Sequence, residues 1–219
     1  MSILLTQFVN LLGAMLLMLV FAMISQRRIV SLINLFTMQG ATLALATAVV
    51  GYVTHQHQLY LSAGLTVALK VLLIPYLLHR VINRLEIRWD IETLVNIPTT
   101  MLIGIVIVIF AFNLALPISQ LSSALASGTL GIALACVLLS FLMMITRAKA
   151  VPQVIGFLAM ENGLFFAATA ATYGMPMVVE LGIALDVLIG VVILGVFMFQ
   201  IREQFDSLDI RHLEKLKED

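Results

Sequence analysis

The chain has 219 residues, 62% of them hydrophobic and only 11% charged, with a formal net charge of zero and a mean hydropathy of +1.11. A water-soluble surface cannot be built from this composition, so the reading is an all-α integral membrane protein solvated by a lipid bilayer, with no nucleic-acid partner. No GxGxxG, Walker or multi-cysteine motif occurs, and the single cysteine, Cys136, excludes an intrachain disulfide and an iron–sulfur site made by this chain alone.

Apolar runs of about 20 residues, enough to cross a hydrocarbon core of roughly 30 Å, recur along the sequence. Seven transmembrane helices are predicted: Ile3 to Ile24, Ile29 to Val53, Leu59 to Ile82, Ile97 to Leu116, Ser122 to Ile145, Val151 to Tyr173 and Met177 to Gln200. The first lacks a basic start and a clear cleavage site, so it reads as a helix rather than a signal peptide, with the mature chain expected to begin near Met1. Arg27 and Arg28 follow helix one, Arg80, Arg84 and Arg88 follow helix three, Arg147 and Lys149 follow helix five, and Arg202, Arg211, Lys215 and Lys217 follow helix seven. The opposite loops carry no basic residue. The positive-inside rule therefore places the N-terminus outside and the C-terminus in the cytoplasm.

Helices one to three and five to seven read as two copies of one unit. Thr-Met-Gln-Gly at 37–40 aligns with Ala-Met-Glu-Asn-Gly at 159–163, setting Gln39 opposite Glu161. Ala-Leu-Lys-Val at 68–71 aligns with Ala-Leu-Asp-Val at 184–187, setting Lys70 opposite Asp186. With helix four inserted between them, the copies point the same way, giving parallel repeats about an axis along the membrane normal. The expected organisation is a first unit with a cytoplasmic interfacial segment (1–96), a linking helix (97–120), a second unit (121–201) and a cytoplasmic tail (202–219).

Gln39, Lys70, Glu161 and Asp186 all fall roughly 14 to 18 Å from a helix end, at midplane depth. An ionised group there costs roughly 2.5 to 3.5 kcal/mol unless paired, protonated or hydrated, so Lys70, Glu161 and Asp186 form a candidate ion pathway. Glu161 lies among Phe157, Leu158, Leu164 and Phe165, a setting that favours its protonated form. Asp186 is flanked by Gly182 and Gly190, which let a neighbour or water approach. Lys70 precedes Pro75, whose missing N–H frees the Val71 carbonyl and predicts a kink. Gln39 hydrogen-bonds without titrating, and Glu180, nearer the outer end of helix seven, is assigned a supporting access role. The His55-Gln56-His57 pair reads as solvated loop, with no catalytic or metal site expected.

Met-Glu-Asn-Gly, the later Val-Glu-Leu-Gly-Ile-Ala-Leu-Asp-Val, Thr-Met-Gln-Gly, Ala-Leu-Lys-Val-Leu-Leu-Ile-Pro and the tail's Ser-Leu-Asp-Ile together resemble hydrogenase-4 component E over nearly the whole chain. The second unit is also similar to the K component of respiratory complex I and the C component of Mrp-type antiporters, three-helix proteins with a glutamate in each of the second and third helices. Glu161 matches the first position, Asp186 replaces the second, and Gln39 and Lys70 depart from the carboxylates in the first unit.

The resemblance implies a non-catalytic membrane-arm subunit of a formate hydrogenlyase-type, complex I-related complex in a prokaryotic plasma membrane. Its partners would be antiporter-like membrane subunits, a membrane subunit like the H component of complex I, and cytoplasmic hydrogenase subunits. Nickel–iron and iron–sulfur centres would belong to those partners, with no cofactor in this chain. Glu161 and Asp186 would exchange protons while Lys70 biases their occupancy. A self-sufficient secondary transporter and a purely structural scaffold stand as the alternatives.

Overall fold

The computed structural model describes residues 3–84, 93–119 and 124–172, and their regular structure is helical. The elements are α1 (Ile3–Ser25), α2 (Ile29–Thr54), α3 (His57–Thr66), a π-helical segment (Val67–Leu73), α4 (Ile74–Arg84), α5 (Ile97–Ser119), α6 (Ala124–Thr146) and α7 (Ala150–Thr172). Six segments among the described residues are long and apolar enough to cross a membrane, α3, the π segment and most of α4 together making the third. The expected seventh helix, with Glu180, Asp186 and the tail, lies outside the described residues. The comparison of the two units' third helices lies outside them too.

Several threonine hydroxyls inside the described spans are satisfied by their own helices. Thr37, Thr42, Thr47, Thr66, Thr146 and Thr169 each donate to the carbonyl four residues back, at 2.8 to 2.9 Å. Such bonds let a threonine cross lipid depth without an outside partner. The buried interior is drawn chiefly from α1 (Leu16, Val20, Met23), α2 (Ile33, Phe36, Leu43), α6 (Cys136, Leu139, Met143) and α7 (Ile155, Leu158, Phe166). The most extensive contact is α6 on α7. Gly163 permits it, since a Cβ there would stand 3.1 Å from the Cys136 Cβ and 3.3 Å from the Val137 nitrogen. By contrast α5 presents Leu102, Val106, Ile109, Phe110 and Leu116 outward, a face that costs little where the surroundings are acyl chains.

The α2–α3 turn closes on His55, whose left-handed backbone (φ 55°) ends α2 while its N–H bonds to the Gly51 carbonyl. His55 and His57 are exposed, as the sequence indicated.

Pro75 leaves its mark as a widened helix. The Ile74 N–H reaches back five residues to the Leu69 carbonyl, and Pro75 itself has no donor to continue an α register. Where the sequence predicted a kink near Lys70, the described residues form a π segment.

At one end of the bundle three connections meet. The Leu94 N–H donates to the Thr146 carbonyl at 2.9 Å, and Thr93 pairs with Arg147 in an isolated antiparallel bridge. The Arg147 guanidinium then reaches the C-terminus of α1, donating to the Ile24 carbonyl at 2.6 Å and the Met23 carbonyl at 3.4 Å. Nearby Arg27, Thr93, Asn96 and Thr99 border an open cavity of about 560 Å³. Residues 93–99 and the ends of α1 and α6 therefore share a side, together with Arg27 and Arg147, as the loop charges required.

Arg147, which follows α6, is buried, with only 1% of it exposed. Burial lowers its pKa from the ordinary value, but arginine begins so high that it remains a cation. A cation at a helix C-terminus satisfies orphan carbonyls and complements the helix dipole.

Arg147→Met is expected to destabilise the fold by about 1.5 to 3 kcal/mol, the usual worth of hydrogen bonds to a charged group, whereas Arg27→Gln at an exposed site should change it by less than about 0.5 kcal/mol. Unfolding of both variants in mixed micelles checks this; equal effects would mean that the cap contributes nothing.

Candidate functional site

Four buried polar side chains from three elements converge at mid-depth: Gln39 of α2, Lys70 of the π segment, and Glu161 and Asn162 of α7. Gln39 lies ten residues into α2 and Glu161 eleven into α7, about 15 to 17 Å along each axis. The close approach of α2 to the π segment requires Gly40, where an added Cβ would stand 3.1 Å from the Lys70 Cβ.

The Lys70 ammonium lies 3.2 Å from Oε1 of Glu161 and donates a hydrogen bond of 2.8 Å to Oδ1 of Asn162. The Phe165 ring centroid is 6.0 Å away, at the outer limit of a cation–π contact. Asn162 in turn donates through Nδ2 to Oε1 of Gln39 at 3.2 Å, and Gln39 donates through Nε2 to the Ala159 carbonyl at 3.4 Å. Lys70 and Glu161 are 1% and 4% exposed.

Of the residues singled out from sequence, Gln39, Lys70 and Glu161 are thus brought together. The hydrogen bonds of Gln39 go to Asn162 and the Ala159 carbonyl. Asn162 carried a usable signal, an amide within the same Met-Glu-Asn-Gly stretch at a depth where polar atoms need partners. Asp186 and Glu180 lie outside the described residues. Cys136 is buried at the α6–α7 contact, and no group of three or more metal-ligating side chains occurs among the described residues.

At 3.2 Å, unit charges attract by about 5 kcal/mol at an effective dielectric of 20. Withdrawing each ion from water costs several kcal/mol, so the pair roughly breaks even as a source of stability. Chemically, the arrangement joins a carboxylate, which can take up a proton, to an ammonium and a neutral amide.

The class defined by these features is a polytopic helical membrane protein with an ion pair enclosed between its spans. The chain is 31% identical to the uncharacterized protein Rv0085 of Mycobacterium tuberculosis over 194 residues, 88% of each chain, and it belongs to the same family. It is also similar, at 24% identity over 148 residues and 68% of each chain, to hydrogenase-4 component E of Escherichia coli and of Shigella flexneri. No family profile and no solved structure matches it.

A double-mutant cycle on Lys70→Met and Glu161→Gln should give a coupling of about 0.5 to 3 kcal/mol, the double variant losing less than the sum of the single ones. Unfolding free energies in lipid–detergent micelles measure it. Additivity within about 0.3 kcal/mol would show that the two charges do not act on each other.

Proposed function

We propose that this chain is a non-catalytic membrane-arm subunit of a hydrogenase-4 or formate hydrogenlyase-type, complex I-related complex, and that it contributes a midplane step to proton translocation. The observation that carries the reading is the Lys70–Glu161 pair, enclosed at mid-depth among the described spans beside the buried amides of Gln39 and Asn162. A break-even ion pair is a poor fastener but a usable proton site. The similarity to hydrogenase-4 component E supports membership of such an assembly. Redox centres and hydrogen chemistry then reside in partner chains, and protons pass by way of Glu161 and, further on, Asp186, with Lys70 setting the charge balance. Glu180 supplies access from the outer side.

The coupled ion in this reading is H⁺ rather than Na⁺. An alkali cation at Glu161 would stand against an ammonium already 3.2 Å from the carboxylate, whereas a proton needs no such room.

In the assembled complex Glu161→Gln and Asp186→Asn should each abolish or strongly reduce proton translocation while hydrogen evolution continues uncoupled, because an amide keeps shape but cannot exchange the proton. Proton uptake by inverted membrane vesicles, with hydrogen evolution followed in parallel, provides the test. Copurification with hydrogenase subunits would establish membership. Undiminished pumping in both assembled variants would leave the scaffold reading, and solute transport by the purified chain alone would favour a self-sufficient carrier.

A further inference from the structure

We propose that the recess at the end of the bundle where α1 stops and α5 starts binds the headgroup of an anionic phospholipid, with Arg27 on its phosphate and Arg147 supplying a second positive charge beside it. The proposal is separate from the proton reading and uses none of its residues. The recess, an open cavity of about 560 Å³, is bordered by Arg27, Thr93, Asn96, Ile97, Pro98 and Thr99. A volume of that order suits a small polar ligand. The border offers a guanidinium, two hydroxyls and an amide as donors, with no carboxylate among the described residues that form it.

The depth of the recess selects a lipid. The apolar span of α1 ends at Ser25, two residues before Arg27, and that of α5 begins at Ile97. The recess therefore opens where hydrocarbon gives way to headgroups. Immediately beyond it α5 turns Leu102, Val106, Ile109 and Phe110 outward, the first of them about 4.5 Å along the axis from Thr99. A phosphate held between Arg27 and Thr99 thus has an apolar surface for its acyl chains alongside. A free phosphate or an acidic peptide would use the recess and leave that surface unmatched.

Arg147 points independently to an anion. It is buried, and its Nε and Nη1 make no hydrogen bond, Nη2 alone meeting the carbonyls of Met23 and Ile24. Unmet donors on a buried cation are costly, and a negative charge close by offsets that cost. The residue adjoins the recess from two directions: its main chain pairs with Thr93, and its guanidinium holds the carbonyls three and four residues before Arg27. A zwitterionic headgroup would bring its own cation against both arginines. An anionic one brings a phosphate with acceptor oxygens and no opposing charge.

The test is native mass spectrometry of the full chain, stripped of lipid in neutral detergent and titrated with phosphatidylglycerol or phosphatidylcholine. One phosphatidylglycerol should be retained in preference to phosphatidylcholine. Arg27→Gln, at an exposed site, should weaken its retention by about three- to tenfold, the range between an exposed ion pair and a hydrogen bond to a charged group. Arg147→Lys, which keeps a charge but loses the forked donors, should weaken it as well. Arg80→Gln, an exposed arginine that bonds the Tyr76 hydroxyl away from the recess, should leave it unchanged.

Equal retention of the two lipids overturns the proposal. So do equal losses in Arg27→Gln and Arg80→Gln, which would show a diffuse surface attraction, and inorganic phosphate binding the stripped chain as tightly as the lipid does, which would show a free-anion site. A folded Arg147→Lys chain with undiminished lipid retention overturns the part given to Arg147. Should that variant fail to fold, the comparison of Arg27→Gln with Arg80→Gln decides alone.

Discussion

An ammonium enclosed in an apolar bundle is the constraint around which the described structure is arranged. Among the described residues, Lys70 meets a countercharge and a neutral acceptor from α7, more than ninety residues away along the chain. Meeting that demand brings three elements together. Gly40 lets α2 come up to the lysine's own Cβ, the π segment presents the side chain, and consecutive residues Glu161 and Asn162 supply an anion and an amide. The energetic balance explains why this arrangement points to function. Coulomb attraction and desolvation nearly cancel, so an apolar triplet of similar volume would hold the helices at least as well.

A second buried cation among the described residues makes the contrast. Arg147 meets two main-chain carbonyls at the end of α1, where orphan acceptors are a fixed feature of any helix terminus. Among the described residues its guanidinium bonds main-chain oxygens rather than a carboxylate, and it ties α6 and residue 93 to α1. Its consequence is architectural: the connections at that end are drawn into one knot, while the middle of the membrane is left to the lysine–glutamate pair. These two buried cations thus differ in their partners, main-chain carbonyls for Arg147 and a carboxylate and an amide for Lys70.

Much of this was legible in the sequence because lipid simplifies the rules. Six of the expected spans agree with the observed helices to within a few residues, since a run of about 20 apolar side chains has few other destinations. Gln39, Lys70 and Glu161 stood out because polar atoms are rare at that depth. Asn162 did not, being uncharged and beside a glutamate that drew the attention; only packing shows that its amide faces the lysine. Arg147 was read as a topology signal, since a basic residue after a helix usually lies in solvent, and nothing local reveals that α1 ends against it. The π segment was announced only by Pro75, which predicts a disturbance without its form. The expected seventh helix and Asp186, and with them the comparison of the two units' third helices, lie outside the described residues.

The account's central claim is that the Glu161 carboxyl changes protonation during the working cycle. Time-resolved infrared difference spectroscopy of the assembled complex during hydrogen evolution tests this most directly. A protonated-carboxyl band should rise and decay with turnover and be missing from Glu161→Gln. A complex that pumps normally while Glu161 shows no such band at any stage would contradict the account.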